Sequence, residues 1–324
     1  MNTGVTGRVF WDGGCMKDYG RFPFGRPNTV RPARLPERGT ARALVVGVYP
    51  SAWHVAWQAP AYSISPSRRG AVSALAVDVE PTVFWDGDPA GFPEMLAEWK
   101  AKTGFVDGDD PGCHGWVSSS SPPANGSSGT KVQKKYLDPL GVAGAEAAFT
   151  DVYPVFVTKS SSTGSRGRRE QGNAIRDEYD AIADELGLPA SSLPIRPTIR
   201  QLVTESLSRF QDHLLQALEA ADAPLVITLG DEPFQVLSRI PALTPEPPAD
   251  TIADLYGARY GERGYVTVNG RRVEWLPLVH PGLFNRNVGQ VEVNPARRTG
   301  PGWNWLHHEW ATRLTSELDH RPRS

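Results

Sequence analysis

Three short stretches carry residue types suited to chemistry, and each lies at or near the end of an apolar run. Gly47-Val48-Tyr49-Pro50-Ser51 follows Ala43-Leu44-Val45-Val46, Thr150-Asp151 falls within "AFTDVYPVFVT", and His280-Pro281-Gly282 closes "VEWLPLVHPG". A strand that ends in Gly-x-x-Pro offers open backbone amides and a fixed turn, which suits a ligand pocket. An aspartate reads or activates a hydrogen-bonding partner, a histidine donates to a developing anion, and a tyrosine stacks on a ring or bonds to it. With an ordinary pKa of about 10, the phenol of Tyr49 is a poor general base at neutral pH. A fourth stretch, Lys159 to Asn173, sets Lys159, Arg166, Arg168 and Arg169 among Ser and Gly, a composition suited to phosphate contact. The pair Cys113-His114 lacks the partner spacing of a metal site.

The elements that must position these groups alternate between strand and helix. Residues 73–87 read as one or two strands, and Met95, Leu96 and Trp99 give helical spacing to 92–104. Residues 107–135, with "VSSSSPPANGSSGTK", read as a flexible low-complexity insertion. The stretch 148–158 reads as a buried strand, 173–187 as a helix, and 196–221 as one long amphipathic helix carrying Ile199, Leu202, Val203, Leu207, Phe210, Leu214, Leu215 and Leu218. "APLVITLG" is a short buried strand, and "DEPFQVLSRI" a helix with Asp231 or Glu232 near its N-terminus. "YVTVNGRRVEWLPLV" is a hairpin turning at Asn269-Gly270, and "WNWLHHEWATRLTSEL" is a last helix. Such alternation implies an α/β fold with a mainly parallel sheet and right-handed crossovers. Ligands of such sheets sit at the carboxyl ends of the strands. The expectation is therefore that the Tyr49, Asp151 and His280 stretches converge on one crevice.

The 324 residues, 40% hydrophobic and 22% charged, suffice for one large α/β core or two small ones. We expect a Pro- and Arg-rich arm over 1–42, packed on a single domain over 43–324. No apolar run approaches the ~20 residues of a membrane span, and the opening "MNTGVTGRVFWDGG" lacks the features of a signal peptide. With Cys15 and Cys113 as the only cysteines, a disulfide framework is not expected and a cytoplasmic location is. A net charge of −2 and a pI near 6.4 argue against a nucleic-acid coat protein. The arm is locally basic, however, with Arg8, Lys17, Arg21, Arg26, Arg31, Arg34, Arg38 and Arg42 against Asp12, Asp18 and Glu37. Either that surface attracts phosphates or it is simply solvated.

In this order and on these elements, the motifs resemble the uracil-DNA glycosylase superfamily over roughly 43–62, 148–173 and 210–290. The family's first motif takes forms such as Gly-Gln-Asp-Pro-Tyr-His, its middle strand often reads Thr-Asn-hydrophobic, and its last motif is His-Pro-Ser. Here these are Gly47-Val48-Tyr49-Pro50-Ser51, Thr150-Asp151-Val152 and His280-Pro281-Gly282. The resemblance implies a three-layer sandwich, its parallel sheet flanked by helices, in a monomer that needs no cofactor and acts on single- or double-stranded DNA. Such an enzyme flips a base into a pocket and cleaves its N-glycosidic bond. By the same resemblance Gly47, Val48, Pro50 and Ser51 line the base and Tyr62 stacks on it. His280 stabilises the departing anion. Leu283 or Phe284 wedges into the duplex, with Asn285 and Arg286 near its backbone.

Two departures alter the expected chemistry. Tyr49 stands where most branches place a water-activating carboxylate or a water-positioning asparagine, so it fills the pocket, stacks, or bonds a substrate group. Asp151 stands at the base-reading asparagine. Ionised, it only accepts, which favours an edge presenting donors, as in cytosine or adenine, over that of uracil; alternatively it orients the water. The basic loop lacks the histidine with which one branch traps the sugar, so that mechanism does not carry over. The leading expectation is a DNA glycosylase-like hydrolase of a modified or non-uracil base. Its rivals are a non-catalytic nucleic-acid or nucleotide binder, favoured by Tyr49, and a hydrolase of small nucleosides or nucleotides, favoured by the acidic pI.

Overall fold

The computed structural model describes residues 19–22, 26–36, 40–58, 72–80, 83–84, 94, 97, 116–119, 129, 131–158, 190–283 and 302–319, and the architecture is that of these residues. The strands are β1 (Ala43–Gly47), β2 (Ala52–Gln58), β3 (Val72–Val79), β4 (Trp116–Ser119), β5 (Ala147–Asp151), β6 (Leu225–Leu229), β7 (Gly264–Val268) and β8 (Arg271–Leu278). The α-helices are α1 (Ile199–Arg209), α2 (Gln211–Ala221), α3 (Asp231–Leu237) and α4 (Trp303–Asp319).

The main sheet has the order β5-β1-β6-β8-β7, parallel throughout except for β7, which runs antiparallel to β8. From β1 the chain adds β5 on one side and then returns to add β6 on the other. The topological switch point therefore lies at β1 and β6. β1, β5 and β6 are buried at every position, as strands covered on both faces must be. Helix α2 packs on β1 and β5, while α3 packs on β6 and α1 on α3. Phe234 of α3 stacks on the fully buried Trp275 of β8 with ring centroids 5.1 Å apart, and the Trp275 indole N–H donates to Thr228 Oγ1 at 3.0 Å. Burial of each such large apolar side chain is worth roughly 1.5–3 kcal/mol. A separate antiparallel sheet, β3-β2-β4, is joined to the main sheet through the turn after β1.

The hairpin β7–β8 turns at Asn269 and Gly270 with φ of 50° and 77°, both positive as a type I′ turn requires. Residues 26–36 of the arm run along β5, the edge of the sheet, where Arg34 exchanges backbone hydrogen bonds with Phe149 at 2.9 and 2.8 Å. A sheet edge covered in this way is closed to further pairing.

Four expectations need correction. The stretch 196–221 is two helices, because Phe210 (φ −124°, ψ 5°) leaves the helical region. Its buried ring meets Tyr153 edge-on at 5.0 Å and Tyr19 at 6.0 Å, so tertiary burial overrides local propensity. The strand expected over 148–158 ends at Asp151, past which the Val152 and Tyr153 N–H groups still donate to the Gly47 and Val48 carbonyls, and Thr158 makes only an isolated bridge to Ile195. The 107–135 insertion contains β4 and enters a wide helical stretch, Val132–Leu137. Three arginines of the arm have partners within the chain: Arg26 pairs with Asp78, Arg42 pairs with Glu146 at the surface, and Arg34 lies over the Phe149 ring. The helices expected at 173–187 and, apart from Glu94 and Ala97, at 92–104 lie outside the described residues; those two are helical.

Gly230, between β6 and α3, has φ 98° and ψ −179°, a region only glycine occupies at low cost. An added Cβ would lie 3.1 Å from the His280 Cβ. Gly230→Ala is therefore expected to cost about 1–3 kcal/mol of stability, measured by urea denaturation. An unchanged midpoint contradicts this reading of the turn.

Candidate functional site

The register sets the site. Val46 of β1 pairs with Thr150 on one side and Thr228 on the other, and Thr228 pairs with Pro277. One residue on, Gly47 pairs with Asp151 and Leu229 with Leu278. Four parallel strands thus end level, and at ~4.8 Å per strand spacing their ends span about 15 Å. The Gly47, Tyr49, Asp151 and His280 stretches meet along this one edge, at the switch point where such sheets bind ligands.

Gly47 and Asp151 fit each other closely. A Cβ on Gly47 would lie 2.3 Å from Asp151 Oδ1 and 3.0 Å from the Phe84 ring, so no larger residue fits against this carboxyl. Asp151 is 2% exposed, and its Oδ2 has no hydrogen-bond partner among the described residues. Burial, reinforced by the nearby carboxyl of Glu80, raises its pKa well above the usual carboxylate range. The protonated form presents an O–H donor beside a carbonyl acceptor. Burial thus favours the form of Asp151 that can donate as well as accept.

The turn after β1 is held at its far end by Glu80, which follows β3 and is 2% exposed. Glu80 Oε1 accepts the Ser51 N–H at 3.1 Å, and the Glu80 N–H donates to the Ser51 carbonyl at 3.2 Å. Arg31 of the arm lies near both Asp78 and Glu80. Burial lowers its pKa, and those two carboxylates offset part of the effect.

Tyr49 is half-buried and packs against the core, with the Arg196 guanidinium 5.3 Å from its ring centroid. Arg196 in turn pairs with Glu232 at 2.5 Å, near the start of α3. This strap ties the turn after β1 to the turn after β6, and it makes Tyr49 a fixed wall of the edge.

His280 is half-buried, and its Nδ1 accepts the Gly282 backbone N–H at 3.0 Å. A nitrogen that accepts carries no proton, so the ring proton resides on Nε2.

Val48 and Pro50 are buried within the turn, where the Val48 carbonyl accepts the Tyr153 N–H at 2.9 Å. Leu283, expected as a wedge, is half-buried and packs against the core. Tyr62, Lys159, Arg166, Arg168, Arg169, Phe284, Asn285 and Arg286 lie outside the described residues. Sequence reasoning missed Glu80, Arg196 and Phe84 as parts of this edge. Glu80 had a readable signal, as a carboxylate that closes the stretch 74–79, apolar but for Asp78, ahead of Pro81, whereas Arg196 and Phe84 had none. Among the described residues no group of three or more His, Cys, Asp or Glu side chains could hold a metal ion, and no helix is long and apolar enough to cross a membrane. Neither a protein-family model nor a curated protein matches the chain.

The raised pKa of Asp151 fixes a pH dependence of stability. The folded protein keeps a proton that the unfolded chain releases above 3.8, the ordinary value for this group. The stability associated with Asp151 is therefore full below that pH and falls as pH rises towards the folded pKa. Asp151→Asn abolishes this dependence, so the variant should gain stability over wild type as pH is raised from about 4 to about 8 in urea denaturation series. Parallel pH profiles would mean that Asp151 is ionised in the folded protein.

Proposed function

We propose that the chain is a DNA base glycosylase-like hydrolase, a divergent relative of the uracil-DNA glycosylases with a three-layer sandwich fold. The observation that carries this reading is the carboxyl of Asp151, buried against Gly47 with one oxygen unmatched among the described residues, at the strand edge where such sheets bind ligands and where burial favours its protonated form. A carboxylic acid presents the same donor-acceptor pair as an asparagine amide. It matches an edge carrying an acceptor next to a donor, such as O4 and N3–H of uracil, and it replaces the cytosine- or adenine-like edge expected of a carboxylate.

His280 supports the chemical step. The bond between the base nitrogen and the sugar C1′ breaks, and the base keeps the bonding electrons as an anion. The Nε2–H of His280 stabilises that charge at a ring carbonyl oxygen. Water then adds to the sugar carbon, and its proton neutralises the base. Asp151, holding its proton, does not activate this water, and neither does the phenol of Tyr49. Stabilisation of the leaving group therefore carries most of the rate. The pinned Tyr49 favours one alternative, a member that binds nucleic acid or nucleotide without cleaving it.

The test is a panel of single- and double-stranded oligonucleotides containing uracil and modified bases, scored for abasic sites in single turnover. Wild type is expected to excise a base with a uracil-like edge, and His280→Ala to lower that rate by about 10²–10³ while binding persists. Duplex affinity is expected to fall steeply with salt. Salt-dependent binding without any abasic site overturns catalysis and leaves the binding module. Cleavage of free nucleosides without oligonucleotide binding points to the small-molecule hydrolase.

A further inference from the structure

Beneath the carboxyl edge lies a buried polar ring that closes on one residue, Val279, which precedes His280. β7 ends its pairing at Gly264 opposite Trp275, so β8 beyond Trp275 has no strand on that side among the described residues. On the other side Leu278 remains paired through its carbonyl, which accepts the Gly230 N–H at 2.8 Å. Because successive residues of a strand face opposite ways, the polar groups of Val279 point into the space that β7 has vacated. There the Val279 N–H donates to Tyr260 Oη at 3.3 Å, and the Tyr136 hydroxyl donates to the Val279 carbonyl at 2.6 Å.

His307 of α4 gives this arrangement a single direction. Its Nε2–H donates to the Lys135 carbonyl at 2.8 Å, so Nδ1 is bare and accepts the Tyr260 hydroxyl at 2.8 Å. Burial holds the imidazole neutral, its pKa lowered to about 4. Tyr260 is thus left with its oxygen turned to the Val279 N–H. The ring closes because Lys135 and Tyr136 are neighbours on the same helical stretch. Val279 is fully buried, Tyr136 likewise, and Tyr260 and His307 nearly so. A fully satisfied buried network of this kind specifies one geometry more narrowly than an apolar filling does.

We propose that Tyr136, Tyr260 and His307 are positioning residues that fix the exit of β8 and thereby aim the imidazole of His280. The two hydroxyls stand in for the missing strand on the two peptides that flank the Val279 Cα, the second of which leads directly into the His280 Cα. The proposal rests on the glycosylase reading for its effect on rate, and on the structure alone for its effect on His280.

The experiment compares wild type, Tyr260→Phe, Tyr136→Phe and a control, Trp303→Phe, all as full-length protein. Trp303 packs edge-on to Tyr256 and against Tyr260 with ring centroids 5.9 Å apart, and its indole N–H has no hydrogen-bond partner among the described residues, so the control disturbs the packing of the ring and leaves its hydrogen bonds in place. Three quantities are read: thermal stability, hydrogen exchange at the Val279 amide with the NMR signals of the His280 ring, and single-turnover excision against oligonucleotide affinity. Tyr260→Phe should speed Val279 exchange, and both tyrosine variants should shift and broaden the His280 ring signals. Both should slow excision by about 10- to 100-fold with affinity changed less than about twofold. Trp303→Phe should lose stability without moving the ring signals or the rate. Unchanged Val279 exchange in Tyr260→Phe, or His280 signals that move equally in the control, overturns the proposal. A wild type that excises no base defeats the glycosylase reading instead, while the exchange and ring measurements still decide the clamp.

Discussion

Backbone pairing between β1 and β5 sets Gly47 against Asp151, and the rest of the carboxyl edge is arranged around that contact. A carboxyl oxygen stands 2.3 Å from where a methyl group would be, so register, glycine and aspartate form one unit. Slipping the register by one residue would turn the carboxyl to the other face of the sheet. Holding it there buries a group whose charged form is penalised, which raises its pKa well above the usual carboxylate range. An unmatched buried polar atom costs about 1–3 kcal/mol in the free protein, a cost that a ligand with the complementary pair would relieve.

The surrounding elements hold this arrangement with polar contacts rather than with apolar bulk. Glu80 pins the far end of the turn after β1, and the arm brings Arg26 and Arg31 to the carboxylates at the end of β3. Arg196 and Glu232 strap Tyr49 to the start of α3, while Gly230 lets the chain pass close behind His280. On the far side, the tyrosine and histidine ring around Val279 replaces a strand that ends too early. Each of these contacts joins elements distant in sequence, so the edge is assembled only when the whole sheet is.

What the sequence made legible was local or repetitive. The Asn269-Gly270 turn is read from two residues because only positive φ at both closes that hairpin. The buried strands are read from unbroken apolar runs, and their alternation with helices implies the parallel order that brings Gly47, Asp151 and His280 to one edge. What it hid was tertiary. Phe210 has no helix-breaking chemistry of its own, and the rings of Tyr19 and Tyr153 decide its conformation. Arg26 and Arg42 of the arm look like free surface charge until Asp78 and Glu146 are brought to them. Asp151 looks like an acceptor because composition carries no information on burial. Arg196 lies nearly 150 residues from the tyrosine it covers, and no periodicity or motif links the two.

The account turns on the protonation state of one carboxyl. The most direct measurement is a pH titration of the Asp151 side chain by carbon-13 NMR, with Asp151→Asn used to assign the signal and uracil then added as the probe. The account predicts that the carboxyl stays protonated through neutral pH and that its signal moves when the base binds. A carboxyl that titrates near its ordinary 3.8, or a signal indifferent to the base, would contradict it.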